Sequence, residues 1–316
     1  MNNIEIKNLE IGFNTEKGFR PALFGVSLEL KPGTMHAIVG ESGCGKTITA
    51  MSILKLLPKN AHIKNGEIIF GNKNLLALSE NEMREIRGAK IALIPQDPMT
   101  SLNPLYTIGD QITEALLCHR KISKAEAYKN AINVLELVKI PNAKERFNAY
   151  PHELSGGMKQ RVVIAIALAL DADVIIADEP TTALDVTIQA QIMSLLDDIK
   201  NKYNKSILII THDLSLIGQY ADEISVMYSG NIVEHAFTTA FFRSPEHPYS
   251  KALLKALPST QGETLYNIKG APPSIFEDIK GCRFNPRCEN CMQKCKEKTP
   301  VLTEISPHHT VSCWLY

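Results

Sequence analysis

The chain has 316 residues, 44% of them hydrophobic, which suffices for one large domain with a small appendage or for two modest domains. Lysine plus arginine and aspartate plus glutamate are equal at 34 each, so net charge favours neither nucleic acid nor an anionic membrane surface as a partner. The first ten residues lack the apolar stretch of a secretory signal, and the longest apolar run, 162–170, is about half of a membrane span. We expect a protein on the cytoplasmic side that reaches a membrane only through partners.

Apolar segments with strand character alternate with longer helical patterns, which predicts an α/β domain. Strands are predicted at 4–11, 35–39, 67–70, 91–95, 174–177, 206–210 and 223–227. Helices are predicted at 45–57, 124–138, 155–170, 188–202 and 214–220. Residues 98–160 interrupt the alternation and predict an inserted helical subdomain. Prolines and cysteines dominate after residue 236, so we predict one domain at 1–236 and a C-terminal extension at 237–316.

A glycine-rich segment, Gly40-Glu-Ser-Gly-Cys-Gly-Lys46-Thr47, follows an apolar strand and precedes a helical pattern. It fits the phosphate-loop pattern G-x-x-x-x-G-K-[ST]. Glycines let the backbone curl so that its N–H groups point at phosphate oxygens, and the following helix adds its positive N-terminal end. Lys46 would reach the β- and γ-phosphates, and the Thr47 hydroxyl would bind Mg²⁺. The segment predicts a nucleotide site.

A second apolar strand, at 174–177, ends in two carboxylates, Asp178 and Glu179. Asp178 suits the water shell of Mg²⁺, and Glu179 suits the task of orienting or deprotonating an attacking water. Two acids at this place could also merely cap a helix. Their pairing with a phosphate loop favours the catalytic interpretation.

Between these two elements lies Leu154-Ser-Gly-Gly157-Met-Lys-Gln-Arg161, which resembles the signature sequence of ABC ATPases. Gln96 resembles the Q-loop glutamine of that family, residues 183–185 its D-loop, and His212 its switch histidine. Phe13 matches the aromatic position that stacks on adenine, although Phe19 and Phe24 are near it in sequence. The resemblance implies catalytic roles for Glu179, His212 and Gln96, and Mg²⁺ ligation by Thr47, Gln96 and Asp178.

The resemblance also implies a set of nucleotide-contacting residues and a fold. The fold is a P-loop NTPase cassette with a RecA-like α/β core, a small antiparallel β subdomain and a helical subdomain. The implied nucleotide contacts are Phe13, Gly40, Ser42, Gly43, Cys44, Gly45, Lys46, Thr47, Ile48, Gln96, Ser155, Gly156, Gly157, Asp178 and Asp185.

Further segments are similar to the ATPase subunits of oligopeptide, dipeptide and nickel importers. These segments are 96–104, 108–114, 151–153, 247–249 and 281–288. The resemblance implies a second, related ATPase subunit, two membrane-spanning permease subunits and an extracytoplasmic solute-binding protein as partners, with the chain peripheral on the inner face of the cell membrane. It implies ATP hydrolysis coupled to import, and nothing in it separates peptide from nickel. The alternative is a soluble ABC ATPase without a transport role.

Five of the seven cysteines lie in the last 35 residues, at 282, 288, 291, 295 and 313. Clustered cysteines in a reducing compartment more often bind metal than form disulfides. Cys282, Cys288, Cys295 and Cys313 match the C-terminal cysteines of the importer ATPases, and the family implies a [4Fe–4S] cluster on them. The additional Cys291 creates a spacing that also suits zinc, with Cys291 as an alternative ligand. Free thiols in a loosely ordered tail are the third alternative.

Overall fold

The computed structural model describes residues 3–182, 184–257 and 268–316. The chain forms two compact units, one of residues 78–209 and one of residues 2–77 with 210–316. The strands are β1 Ile4–Thr15, β2 Gly18–Leu30, β3 Met35–Val39, β4 Ala61–Phe70, β5 Lys73–Asn74, β6 Ile91–Ile94, β7 Val174–Asp178, β8 Ser206–Thr211, β9 Glu223–Tyr228, β10 Asn231–Phe237, β11 Thr303–Ser306 and β12 His309–Val311.

The helices vary from single turns to the 18 residues of the longest one. They are α1 Lys46–Ile53, α2 Glu80–Ile86, α3 Pro98–Ser101, α4 Ile108–His119, α5 Lys124–Leu137, α6 Ala143–Arg146, α7 Gly156–Ala169, α8 Val186–Tyr203, α9 Leu214–Tyr220, α10 Thr238–Arg243, α11 Pro248–Lys255 and α12 Gln293–Glu297. Short 3₁₀ turns occur at Leu75–Ala77, Pro151–Glu153 and Asn285–Arg287.

In the unit of residues 78–209, strands β6 and β7 pair in parallel, and β8 is the next neighbour of β7. All five residues of β7 are buried, as expected for a parallel strand covered on both faces. Helix α7 packs against α3, α4, α5 and β6, and its side chains from Gln160 to Ala165 are buried. The strand end of β7 and the start of α7 are thereby held on a rigid core.

The other unit contains two sheets. Strands β2, β1, β4 and β5 form an antiparallel sheet in that order. A second sheet runs β11-β12-β10-β9-β3, in which β3 and β9 pair in parallel and the other neighbours are antiparallel. All five residues of β3 are buried. This strand ends at Val39, directly before the glycine-rich segment.

The predicted strands and helices are all present, with ends that shift by a few residues, and the segment 98–160 is helical as expected. The main miss before residue 236 is β2, a 13-residue strand. Its sequence contains Gly18, Pro21 and Gly25, which are turn signals. The pairing of β1 with β2 has register shifts, and Gly25 takes a φ of +75° at an irregular part of the strand. Tertiary pairing therefore overrides the local signal of these residues.

Candidate nucleotide site

The glycine-rich segment forms a loop between the buried strand β3 and helix α1, as the sequence predicts. Gly45 is the residue before α1 and has a φ of +112°. A Cβ on Gly40 would lie 2.2 Å from the carbonyl oxygen of Met227, and a Cβ on Gly45 would lie 2.8 Å from Leu23 Cδ2. Both positions therefore require glycine, because a side chain would displace the loop from the sheet below it.

Lys46 is buried and its ammonium group lies on the inside of the loop. Its Nζ donates to the carbonyl oxygens of Gly40, at 2.8 Å, and Glu41, at 2.9 Å. Thr47, the next residue, is exposed at the start of α1. The ammonium is thus held where a phosphate oxygen could replace a carbonyl as its acceptor.

Cys44 is buried in the same loop, and its Sγ lies 3.9 Å from Lys46 Nζ. Burial raises the pKa of the Cys44 thiol, although Lys46 opposes the shift. The side chain is therefore a poor nucleophile, and its contribution to the loop is packing.

The acidic strand end lies in the unit of residues 78–209. Asp178 is buried, and Glu179 follows it with a φ of +45°, a left-handed conformation that is costly for a side chain of this type. Glu179 Oε2 accepts hydrogen bonds from Gln96 Nε2 at 3.1 Å and from the Thr182 hydroxyl at 3.0 Å. The structure thus brings together Gln96 and Glu179, two of the three predicted catalytic residues. Thr182 is a supporting residue that the sequence analysis missed.

The signature segment begins helix α7. Ser155 caps the helix, since its hydroxyl accepts from the backbone N–H of Met158 at 3.4 Å, and Ser155 and Gly156 are exposed. A Cβ on Gly157 would lie 2.8 Å from Ile188 Cγ2 at the start of α8. Asp185 caps α8 through the N–H of Ile188 at 3.0 Å. The signature and Asp185 therefore meet at the N-terminal ends of two neighbouring helices within one unit. Ala183, also in the predicted D-loop, lies outside the described residues.

His212 and Phe13 lie in the same unit as the glycine-rich loop. His212 is exposed directly after β8, and the cap of the following helix is Asp213, whose carboxylate accepts from Ser215 N at 3.0 Å. Phe13 is buried on β1, and its ring meets the ring of Phe276 edge to face, with centroids 5.6 Å apart. His212 is therefore not needed as a helix cap.

The two other aromatic residues considered for adenine stacking have different surroundings. Phe24 is covered by the guanidinium group of Arg283, 4.4 Å from its ring centroid. Phe19 packs over Gly12 on the same hairpin, where a Cβ on Gly12 would lie 2.3 Å from the Phe19 ring.

The glycine-rich loop contacts the C-terminal part of the chain, a contact that no sequence pattern predicts. Arg287 forms two hydrogen bonds to the carboxylate of Glu41, at 2.7 and 3.0 Å. The backbone N–H of Glu41 donates to the hydroxyl of Tyr249 at 3.0 Å. Glu41 occupies a variable position of the phosphate-loop pattern, so the motif gives no signal for this contact.

The five clustered cysteines are close enough for their thiols to affect one another. Burial raises the pKa of Cys282 to about 12, and the thiols of Cys295, Cys313 and Cys288 add to the shift. Burial likewise raises the pKa of Cys288 to about 11, again with contributions from neighbouring thiols. Within residues 3–182, 184–257 and 268–316, no three His, Cys, Asp or Glu side chains are grouped to hold a metal ion. Among these residues the geometry therefore supports neither the expected [4Fe–4S] cluster nor the zinc alternative.

The fold and the motifs together define the class of protein. The family model described as ABC transporter matches residues 23–182. A dimeric ATP-binding cassette solved in a post-hydrolysis state with ADP and phosphate is 29% identical, with a TM-score of 0.67 over 74% of this chain and 98% of that one. The protein cbiO1 from Clostridium perfringens, part of an ABC transporter complex, is 27% identical with a TM-score of 0.65, over 76% of this chain and 90% of that one. The chain has the ABC cassette fold and is an ATP-hydrolysing subunit of that class.

The C-terminal part narrows this class. A second family model, described as the C-terminal region of the oligopeptide/dipeptide transporter, matches residues 233–295. The dipeptide transport ATP-binding protein DppD of Bacillus subtilis is 50% identical over 315 residues, covering 99% of this chain and 94% of the relative. The oligopeptide transport ATP-binding protein OppD of Escherichia coli is 43% identical, covering 98% and 92%. The chain belongs to the family of ATP-binding subunits of oligopeptide and dipeptide ABC transporters.

Among the residues that the structure describes, no helix combines the length and the apolar character needed to cross a bilayer.

Proposed function

We propose that this chain powers the import of oligopeptides or dipeptides, or of a similarly small solute such as nickel, through an ABC transporter. The observation that carries the proposal is similarity over 99% of the chain to a protein named as a dipeptide transport ATP-binding subunit. The match includes the C-terminal region, which a family model assigns to oligopeptide and dipeptide transporters. A soluble ABC ATPase without a transport role is the disfavoured alternative.

In the proposed site, the residues of the glycine-rich loop bind the phosphates of ATP. Backbone N–H groups of residues 40–48 surround the phosphate oxygens, and Lys46 exchanges its carbonyl acceptors at Gly40 and Glu41 for phosphate oxygens. Thr47, Gln96 and Asp178 are the residues proposed to hold Mg²⁺, which would supply positive charge to the phosphates. The base stacks near Phe13.

Glu179 is the proposed general base that orients or deprotonates the attacking water. Its carboxylate is held by Gln96 and Thr182, so its direction is fixed before the nucleotide arrives. His212 is proposed to contact the γ-phosphate and the same water. The strained backbone of Glu179 fits such a role, since strain of this kind concentrates at functional sites.

Two cassettes are proposed to face each other head to tail, so that the signature of one serves the ATP bound by the other. The exposure of Ser155, Gly156 and Asp185 supports this arrangement, because these groups are available to a partner. ATP ties the two cassettes together, and hydrolysis releases them. The partner cassette is proposed to be a related but non-identical subunit.

The membrane subunits are proposed to dock beside Gln96, which places the chain at the cytoplasmic face of the membrane. Three large apolar side chains are exposed shortly after Gln96 in sequence, namely Met99, Leu105 (80% exposed) and Tyr106. Exposed apolar side chains this close in sequence are consistent with a protein contact. Two permease subunits and an extracytoplasmic solute-binding protein complete the proposed importer.

The predicted domains, 1–236 and 237–316, are retained as a proposal, supported by the start of the second family model at residue 233. In the described part of 268–316, the buried apolar side chains are Phe284, Cys295 and Val311. The segment is also held by the pairing of β12 with β10 and by the packing of Phe284 on Tyr228 and Tyr249. We propose that Cys282, Cys288, Cys295 and Cys313, which match the C-terminal cysteines of the importer ATPases, would hold a [4Fe–4S] cluster that adds to the stability of this segment.

Iron and acid-labile sulfide analysis of anaerobically purified protein tests the cluster. About four of each per chain are expected. Zinc without sulfide, or neither metal, would overturn it. Replacing Cys118, an exposed cysteine outside the cluster, by serine is the matched control and should leave the iron content unchanged.

The importer itself is tested by mild detergent purification of the chain from its native membranes. Recovery with two membrane-spanning subunits and a second ATPase is expected, and the associated binding protein can then be assayed for peptides and nickel. Recovery of the chain alone, or with soluble factors only, would instead favour the soluble ABC ATPase without a transport role.

A further inference from the structure

Arg287 is a buried arginine in residues 268–316, the C-terminal segment, and its guanidinium group contacts the glycine-rich loop. Its two terminal nitrogens donate to the two carboxylate oxygens of Glu41, at 2.7 and 3.0 Å. Its Nε donates to the carbonyl oxygen of Lys269 at 3.0 Å, and Nη1 also lies 3.4 Å from the hydroxyl of Tyr228. This two-pronged geometry is the strong form of an arginine–carboxylate pair, and it fixes orientation as well as distance.

Glu41 is the second residue of the loop, and each of its polar groups has a different task. Its carboxylate meets Arg287, its N–H donates to Tyr249, and its carbonyl oxygen accepts from Lys46. The direction of its side chain is therefore coupled to the position of the lysine that should receive phosphate.

An aromatic cluster supports the Arg287–Glu41 contact, because two of its members, Tyr228 and Tyr249, form hydrogen bonds with these two residues. Tyr228 of β9, Tyr249 of α11 and Phe284 of the C-terminal segment have ring centroids 4.6 to 5.3 Å apart, and all three are buried. The loop is thus supported by residues more than 180 positions away in sequence.

The charges explain why the contact matters for ATP. Without Arg287, the carboxylate of Glu41 would be a partly buried, unpaired negative charge in the loop that binds a polyanion. It would repel the triphosphate and would attract Lys46 away from it. Paired with Arg287, the carboxylate instead anchors the loop.

We propose that Arg287 is a positioning residue of the ATP site, which acts through Glu41 to hold the phosphate loop and to neutralise its one acidic side chain. The C-terminal segment is by this proposal part of the nucleotide-binding machinery, beyond any role in cluster binding or assembly. The proposal rests on the assignment of residues 40–47 as the phosphate loop. Arg287 itself touches no phosphate, so it should affect binding more than the chemical step.

The experiment measures ATP affinity of the full chain and the KM and kcat of the assembled transporter for three variants. Arg287→Met should raise the dissociation constant and KM for ATP by at least about tenfold, with kcat changed less than about threefold. The dissociation constant and KM of Arg287→Lys should lie between those of the wild type and Arg287→Met. An ammonium group keeps the charge but cannot form the two parallel hydrogen bonds of a guanidinium group. The double variant Glu41→Gln/Arg287→Met should recover most of the affinity, because no unpaired charge remains.

The matched control is Arg283→Met. Arg283 is equally buried in the same segment, but it bonds to Ser229 and covers Phe24 rather than meeting the loop. The Arg283→Met variant should therefore be less thermally stable, but its KM for ATP should stay within about twofold of the wild-type value. An unchanged KM in Arg287→Met, or a loss that the double variant does not recover, would overturn the proposal. Lys46→Ala distinguishes a failure of the Arg287 proposal from a failure of the phosphate-loop assignment. If Lys46→Ala also binds ATP normally, the assignment of residues 40–47 as the phosphate loop is wrong.

Discussion

At the scale of single residues, Glu179 combines a strained backbone with a well-held carboxylate. Its φ of +45° is a left-handed conformation, and Gln96 and Thr182 hold its carboxylate through hydrogen bonds. This is the preorganisation expected of a general base, in which orientation is established by the fold rather than by the substrate.

Glu179→Gln is therefore expected to bind ATP with normal affinity and to lose at least about a hundredfold in hydrolysis rate, the low end of a general-base contribution. The amide keeps the size of the side chain but cannot accept a proton. The variant should accumulate as a closed dimer with ATP, measurable by size-exclusion chromatography and by phosphate release. Unchanged turnover would show that Glu179 is not the base. Glu153→Gln, at an exposed glutamate before the signature, is the control and should hydrolyse ATP normally.

At the scale of elements, the turn from β3 through the loop to α1 depends on backbone conformations that few residues adopt. Gly45 has a φ of +112°, and its absent side chain leaves room for Leu23, Met227 and Ile275. The loop is thus shaped both by its own glycines and by side chains that pack beneath it.

Gly45→Ala should lower the free energy of unfolding by about 1–3 kcal/mol and should also weaken ATP binding, because backbone strain and a displaced loop act together. Chemical denaturation and nucleotide titration measure the two effects. The matched control is Gly18→Ala at the start of β2, at a φ of +92° with nothing within 4 Å of the added Cβ. It should lose similar stability and bind ATP normally. Wild-type ATP affinity in Gly45→Ala would contradict the proposed role of this residue.

At the scale of the whole molecule, two buried histidines make the free energy of unfolding depend on pH. Burial, assisted by His235, lowers the pKa of His36 to about 4, although Glu223 opposes the shift. Burial, assisted by Lys251, lowers the pKa of His247 to about 3. Both rings are neutral in the fold. His36 Nδ1 donates to the carbonyl oxygen of Glu29, which leaves Nε2 to accept from the Ser225 hydroxyl, and His247 Nδ1 accepts from the N–H of Tyr249.

Between pH 6.5 and 5 the unfolded chain binds more protons at these two sites than the folded chain. The stability from each neutral histidine is complete above about 6.5 and is lost as the pH falls, at about 1.4 kcal/mol per pH unit for each ring. Urea unfolding at several pH values tests this. His247→Asn retains a helix-capping side chain and should reduce the slope by about that amount. An unchanged slope would contradict the prediction.

The sequence by itself determined the class of protein and predicted the residues of its ATP site, because the motifs are local. The phosphate loop, the pair Asp178–Glu179 and the signature each need a few residue types at short spacing, next to apolar strands whose burial is visible in composition. The helical segment 98–160 was predictable because it interrupts the alternation of strand and helix patterns. The antiparallel N-terminal sheet was predictable through the family resemblance.

Only the tertiary structure decided what supports those motifs. Arg287 and Glu41 are 246 positions apart in sequence, and neither carries a periodic or compositional signal that pairs it with the other. Likewise β2 contains turn residues and becomes a strand only because β1 offers it hydrogen-bonding partners. Local propensity and spacing specify which groups can do chemistry, whereas long-range packing specifies which distant groups hold them in place.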